Sequence, residues 1–205
     1  MPSYLSFARF YDGLMQDACY EKRCDYILKL AERFGHDMGI TLDLACGTGT
    51  LTRLLKKRGV DVFGIDYSME MLSEAMQSAS EEGLDILFLR QKMQSIDLYG
   101  TINTCVCTLD SINHLTKIED VAKTFDRVGL FMDDDGLFIF DVNTVYKHKN
   151  VLADNTFVYE NDSVFCVWQN TPEDDNKVKI DLDFFEEENG VLSFVRKLFG
   201  KSLYR

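Results

Sequence analysis

The sequence predicts an α/β fold: one doubly wound, mainly parallel sheet with helices on both faces and an antiparallel β meander inserted after the fifth strand. Two observations carry this. Five short apolar segments between residues 39 and 141 are separated by helical stretches, and parallel neighbours need such right-handed crossovers. After residue 146 the pattern changes to alternating segments, the period of half-buried strands.

Taken in order, residues 18–34 place Ile27, Leu28, Leu30, Ala31 and Phe34 at helical spacing until Gly35 stops the pattern. Residues 39–45 read as the first strand, followed by the small-residue turn Cys46-Gly47-Thr48-Gly49 and a helix over 50–57 that Gly59 ends. The second strand, over 60–65, stops at Asp66, and Ser68 stands where it can cap a helix over 69–79. Residues 84–89 and 101–109 supply the third and fourth strands. Thr116-Lys117-Ile118-Glu119 has capping-box spacing for a helix reaching residue 131, and Asp133-Asp134-Asp135-Gly136 reads as a turn into a fifth strand over 137–141. Segments at 157–160, 163–169, 177–184 and 191–198 form the meander, with turns at Glu160-Asn161-Asp162 and Glu188-Asn189-Gly190. The division expected is a core over 1–146 with an N-terminal helical cap, and over 147–205 a β lid or a subdomain for substrate or oligomerisation.

Composition narrows the functions available. With 205 residues, 46% of them hydrophobic, the chain suits one domain with a substantial core. A formal net charge of −12 without an offsetting Lys/Arg cluster opposes a phosphate backbone, so nucleic acid is not expected as a partner. No apolar run approaches the ~18 residues of a membrane span, and Arg9, Asp12 and Asp17 stand where a signal peptide needs an apolar stretch; the cytoplasm is the expected location. Six cysteines without a CxxC pair, and an acidic run lacking calcium-loop spacing, leave no metal site expected.

The residues that carry chemistry cluster at strand ends, where ligands bind in open α/β sheets. Asp43 near the end of the first strand precedes Ala45, Cys46, Gly47 and Gly49, small positions where backbone comes close to a nucleotide-like ligand. A dinucleotide fingerprint would place its third glycine at position 52, which is Thr52, and no phosphate-loop Gly-Lys-Ser/Thr is present. A ligand without phosphate suits an acid at this place. Asp66, 66 − 43 = 23 positions later, closes the second strand where a carboxylate accepts from ribose hydroxyls.

Asp43-Leu-Ala-Cys-Gly-Thr-Gly followed by Gly64-Ile-Asp66-Tyr-Ser68-Met-Glu-Met71-Leu resembles the class I S-adenosylmethionine-dependent methyltransferases, a Rossmann-like family. Asp110-Ser-Ile-Asn113-His114-Leu and Gly136-Leu-Phe-Ile-Phe-Asp141-Val-Asn143-Thr are similar to small bacterial members whose substrate is open. The resemblance covers about residues 1–200. It implies that the backbone of Ala45, Cys46, Gly47 and Gly49 cradles the methionine part of S-adenosylmethionine, with Asp43 toward its amino end and Asp66 on the ribose. Tyr67 and Met71 flank the adenine, Met93 contacts it through backbone, and Leu109 completes the cofactor set. Lys92 stands where the family often has an acid for the adenine amine. The N-terminal run Tyr4-Leu-Ser-Phe7-Ala-Arg-Phe-Tyr11-Asp12 resembles an entry strip, with Tyr11 closing over the cofactor.

Methyl transfer needs the acceptor atom in line at about 3 to 3.5 Å, and no dedicated nucleophile. If the acceptor must lose a proton, His114 is the first choice of base by its titration range and Asp110 the second, with Tyr146 in the same region. Asp141 and Asn143 read as turn or capping residues. The expected partner is a small-molecule acceptor, S-adenosylhomocysteine being the second product; a homodimer through the meander or the open sheet edge is also expected. The resemblance further implies a helix and two strands beyond Arg205. The other readings are a noncatalytic protein binding S-adenosylmethionine or S-adenosylhomocysteine, an NAD(P)-dependent oxidoreductase disfavoured by Thr52, and a nucleic-acid methyltransferase opposed by the acidity.

Overall fold

The computed structural model describes residue 8 and residues 19–160, 164–174, 177–188 and 191–202. Its elements are α1 (Tyr20–Arg33), β1 (Ile40–Leu44), α2 (Thr50–Lys57), β2 (Asp61–Asp66), α3 (Met69–Glu81), β3 (Phe88–Arg90), β4 (Ile102–Cys107), α4 (Ile118–Phe131), β5 (Met132–Phe140) and β6 to β9 (Thr156–Glu160, Val164–Asp174, Lys177–Glu188, Val191–Ser202). The first five strands form a parallel sheet in the order β3-β2-β1-β4-β5; the last four form a separate antiparallel sheet in chain order.

β1 lies at the centre because its residues are buried on both faces, as a strand flanked by parallel neighbours must be. Its side chains divide by parity. Leu42 and Leu44 join Ile65, Cys105, Cys107 and Val128 of α4 on one face. On the other, Cys24, Ile27 and Ala31 of α1 and Leu51 and Leu55 of α2 close over Val62 and Val106. Each such fully buried Leu or Ile contributes about 1.5–3 kcal/mol relative to exposure. Four of the six cysteines are buried, all six are free thiols, and Cys105 and Cys107 serve as small apolar side chains of β4.

The sequence reading differs from the structure in three places. β3 has only three residues, because pairing with β2 is confined to Phe88, Leu89 and Arg90. The capping box at Thr116 does not form: α4 begins one residue later, with Lys117 as its flanking residue and no side-chain cap. Asp133 to Gly136 lies inside β5, not before it. There the partner of Ile102 is Met132 while that of Thr104 is Leu137, so the extra residues bulge out, held by Asn103 Nδ2 donating to Asp133 at 2.8 Å. Ser68 does cap α3, accepting from the Met71 N–H at 3.3 Å. The two meander turns fall partly outside the described residues, but the strands flanking them pair antiparallel.

Reversal of strand order between β1 and β4 creates a crevice beyond their carboxyl ends. β9 is fastened on this side twice. Lys197 reaches Glu70 in the first turn of α3 at 2.9 Å, and Lys201 reaches Asp110 after β4 at 2.6 Å. Four strand residues span about 13 Å, against about 10 Å for the two sheet spacings from β2 to β4. The last strand is therefore fastened on either side of β1, after β2 and after β4.

Candidate active site

The turn after β1 is built by close packing on one side and open space on the other. Ala45, Gly47 and Gly49 all have left-handed backbone, at φ 61°, 56° and 70°. A Cβ at Gly49 would stand 2.9 Å from Ala75 Cβ of α3 and 3.0 Å from the Phe88 ring, so this glycine lets α3 and β3 close on the turn. At Gly47 a Cβ would meet nothing within 4 Å. Among the described residues, that side of the turn is open.

Asp66 fixes the same turn from β2. One carboxylate oxygen accepts the Gly47 N–H at 2.9 Å and the other the Ser68 N–H at 2.8 Å. Burial raises its pKa, against these bonds and that of the Tyr67 N–H. A carboxylate has about four acceptor sites, so lone pairs remain beyond the two bonds. Arg53 of α2 braces the far side, Nη1 donating to the Thr48 carbonyl at 2.7 Å and Nε to Glu82 at 3.2 Å.

Asp43 lies beneath the turn, 2% exposed, and accepts from Thr52 Oγ1 at 2.6 Å. Thr52, at the place of the missing third glycine, thus satisfies the buried acid. Burial pushes the Asp43 pKa up to about 7, Thr52 opposes this, and Asp66 adds to it. Cys46 is half-buried beside them, and burial first, then Asp43 and Asp66, raise its thiol well above the ordinary value.

Tyr67, Met71 and Met93 follow around the ends of β2 and β3. The exposed Tyr67 ring carries Lys92 Nζ at 4.8 Å and Arg90 at 5.2 Å from its centroid. Tyr67, Arg90, Gln91, Lys92, Ser95 and Asp97 line a cavity of about 470 Å³. Met71 and Met93 are half-buried, Met93 opening the short helical turn Met93–Ser95. Tyr11 and its entry strip lie outside the described residues, except for Ala8, which is buried.

On the other side of β1, β4 ends in Leu109 and Asp110, both left-handed at φ 58° and 51°. Asp141, just past β5, accepts both of their N–H groups and also Arg23 Nη1 of α1 at 2.6 Å. The Asp110 carboxylate takes Asn143 Nδ2 at 2.7 Å and Lys201 Nζ at 2.6 Å, and Lys201 and Asp110 are only 8% and 15% exposed. Burial disfavours ionisation of Asp110, but Lys201, with Lys147 and His114 behind it, holds its pKa below the ordinary value. Asn113 ties the same strand, donating to the Ser202 carbonyl at 2.6 Å while accepting the Asn143 N–H at 2.9 Å.

His114 is exposed at the surface of this segment. Loss of hydration on its protein-facing side first, then Lys201, push its pKa down to about 4, against the pull of Asp110. Tyr146 is exposed next to the turn Lys147–Leu152. The structure thus brings the predicted cofactor residues, Tyr11 apart, with Asp110 and His114, to four adjoining strand ends, those of β3, β2, β1 and β4. Sequence reading missed Lys201, Asn113 and Arg53 as contributors; their only signal was polar character in positions expected to be buried or remote.

Residues 41–136, which span the glycine turn, Asp66 and the end of β4, match the methyltransferase domain model. Over 184 residues the chain is 37% identical to "Putative methyltransferase YqeM" of Bacillus subtilis (strain 168), covering 89% of this chain and 72% of that protein. A crystal structure of an S-adenosylmethionine-dependent methyltransferase from Clostridium acetobutylicum ATCC 824 superimposes with a TM-score of 0.88 at 32% identity, covering 97% of this chain and 81% of that one. The chain belongs to the S-adenosylmethionine-dependent methyltransferases. The resemblance seen in the glycine turn and Asp66 is thereby borne out for family, fold and cofactor. The fold is also shared at a TM-score of 0.76 and 12% identity with S-adenosylmethionine-bound CalS10, an amino pentose methyltransferase from Micromonospora echinaspora, over 95% of this methyltransferase and 82% of that one. Among its described residues, no helix is long and apolar enough to cross a membrane, and no three metal-ligating side chains converge.

Proposed function

We propose that this methyltransferase acts on a small-molecule acceptor whose attacking atom carries its own free lone pair, such as an uncharged amine. The observation that supports the reading is β9, fastened to Glu70 after β2 and to Asp110 after β4 on the ligand side of the sheet, which leaves less room there for a bulky acceptor. S-adenosylmethionine supplies an electrophilic methyl group, and the acceptor's lone pair forms the new bond as the carbon–sulfur bond breaks to leave S-adenosylhomocysteine.

The residues fit this cofactor. The turn's open side at Gly47 leaves room for a methionine portion against backbone, and Asp66 keeps acceptor sites for ribose hydroxyls. Tyr67, Met71 and Met93 wall the base end, and the Leu109 turn closes the crevice from β4. Asp43 shapes the turn from below through Thr52, with Cys46 and Ala45 above it. Tyr11 remains part of the proposed set from the sequence alone.

Acceptor chemistry follows from the titratable groups near the crevice. Asp110 is engaged by Lys201, and His114 titrates near 4, so both are weak bases at neutral pH. We therefore assign Asp110 a positioning role, and His114 a neutral ring able to accept a hydrogen bond from the acceptor. The antiparallel sheet forms the acceptor-side subdomain, and the six free thiols suit a reducing compartment, the cytosol.

Calorimetric titration with S-adenosylhomocysteine, with NADH in parallel, tests the cofactor site. Binding of the first alone is expected, followed by a mass-spectrometric screen of amines against alcohols and nucleic acid. NADH binding alone, or turnover only on nucleic acid, would sink the reading.

A further inference from the structure

We propose that Lys201 is a positioning residue for methyl transfer: from the last strand it fixes Asp110 and, through it, the left-handed turn of Leu109 and Asp110 that ends β4. The inference rests on the cofactor reading above and extends it to a residue 91 positions from its partner.

Two consecutive non-glycine residues with positive φ are strained, and such a turn persists only where its surroundings hold it from several sides. Asp141 holds the two N–H groups from the core. The side chain of Asp110 is held by Asn143 and by Lys201, and among the described residues Lys201 is the one cation bonded to it. Lys201 is itself fixed. It is 7% exposed, its ammonium lies 5.8 Å from the centre of the Trp168 ring, and the next carbonyl, that of Ser202, receives Asn113. Trp168 in turn donates to Asn170, whose amide donates to the Leu152 carbonyl, so the cation sits on a ring anchored inside its own sheet.

The consequence is geometric. Leu109, proposed for the cofactor, and His114, proposed for the acceptor, belong to one short segment, so in this reading Lys201 helps set how the two are held relative to each other. Its charge also works against protonation of His114 while Asp110 works for it, so removing the cation alters the ring's titration as well as its place.

The test compares wild type with Lys201→Met, Lys201→Arg, the double variant Asp110→Asn/Lys201→Met, and Arg196→Met, which alters an outward-facing residue of the same strand paired with Asp183. Affinity for S-adenosylhomocysteine is read by calorimetry, and His114 by the NMR titration of its Cε1 proton. Lys201→Met is expected to weaken affinity about fivefold or more, as coupled neighbours do, and to raise the His114 midpoint. Lys201→Arg restores both, the double variant folds but still binds weakly, and Arg196→Met matches wild type. If Lys201→Met does not fold, the double variant decides. Wild-type affinity together with an unmoved His114 in a folded variant lacking Lys201, or equal loss in Arg196→Met, overturns the proposal. No binding by the wild-type protein would instead remove the cofactor reading and this one with it.

Discussion

The two sides of the crevice are made in different ways. On the β2 side the bonds that fix the glycine turn are short in sequence: Asp66 reaches back 19 positions to Gly47 and forward 2 to Ser68, both to backbone, although farther out Lys197 reaches Glu70 across 127. On the β4 side they are long. Asp110 meets Lys201 across 91 positions, Asn113 meets Ser202 across 89, and Asp141 meets Arg23 across 118, all through charged or amide side chains except the Ser202 carbonyl. A local, backbone-built half suits a cofactor that is the same throughout a family. A half assembled from distant side chains can change with the acceptor without disturbing the other.

That contrast can be broken most directly at Asp110. Asp110→Ala leaves the Lys201 ammonium buried without its counter-charge, and chemical denaturation should record about 3–5 kcal/mol less stability. A negligible loss would mean the β4 side is held no more deeply than an exposed ion pair. On the β2 side, Gly47→Val should cut affinity for S-adenosylhomocysteine more than a hundredfold, about 2.7 kcal/mol, by filling the open side of the turn. Gly47→Val and Gly49→Val both put a β-branched residue at positive φ, but only at Gly49 does the Cβ also meet Ala75 and Phe88, so Gly49→Val should lower the unfolding temperature further. Thermal unfolding beside calorimetry separates the two glycines, and the reverse pattern would put the ligand elsewhere.

Asp66→Ala should weaken the same binding by about 1.5–3 kcal/mol through loss of charge-assisted bonds; unchanged affinity would remove it from the site. Asp43 gives a signature in pH, not in affinity. Its folded pKa is near 7 and its ordinary value 3.8, so between those pH values the unfolded chain has released a proton that the native state retains. The Asp43 contribution to stability therefore falls as pH rises from about 4 to 7 and is constant above. Asp43→Asn should flatten that part of the profile of thermal midpoint against pH, and an unaltered slope would assign it to other groups. The smallest effect is expected from Lys197→Ala. Its half-exposed pair with Glu70 contributes about 0.2–1 kcal/mol and weakens with salt.

The same contrast decides what the sequence disclosed. The glycine turn, Asp66 and the Ser68 cap were legible because each is a local pattern set by neighbours close in the chain. The alternation of apolar segments likewise announced the parallel sheet and the meander. Thr116 misled because capping-box spacing says nothing about which residue first turns helical, and here the helix starts one position later. The acidic run before β5 looked like a turn because a bulge uses the same residues; only the pairing with β4 tells them apart. Lys201 was invisible for another reason. It lies beyond the last segment read as a strand, 191–198, and nothing nearby in the chain announces that it will be buried against an aspartate 91 positions earlier. His114 was chosen for its free titration range, which loss of hydration and that same lysine then displaced.

The last strand also sets an order of assembly during synthesis. Gly47 and Asp66 can meet once the first two strands have left the ribosome, whereas Asp110 must wait for a lysine translated 91 codons later. At about 5–20 residues per second that delay is roughly 5 to 18 s. Throughout it, the nascent chain can display the β2 side of the crevice while the β4 side is still without its clamp.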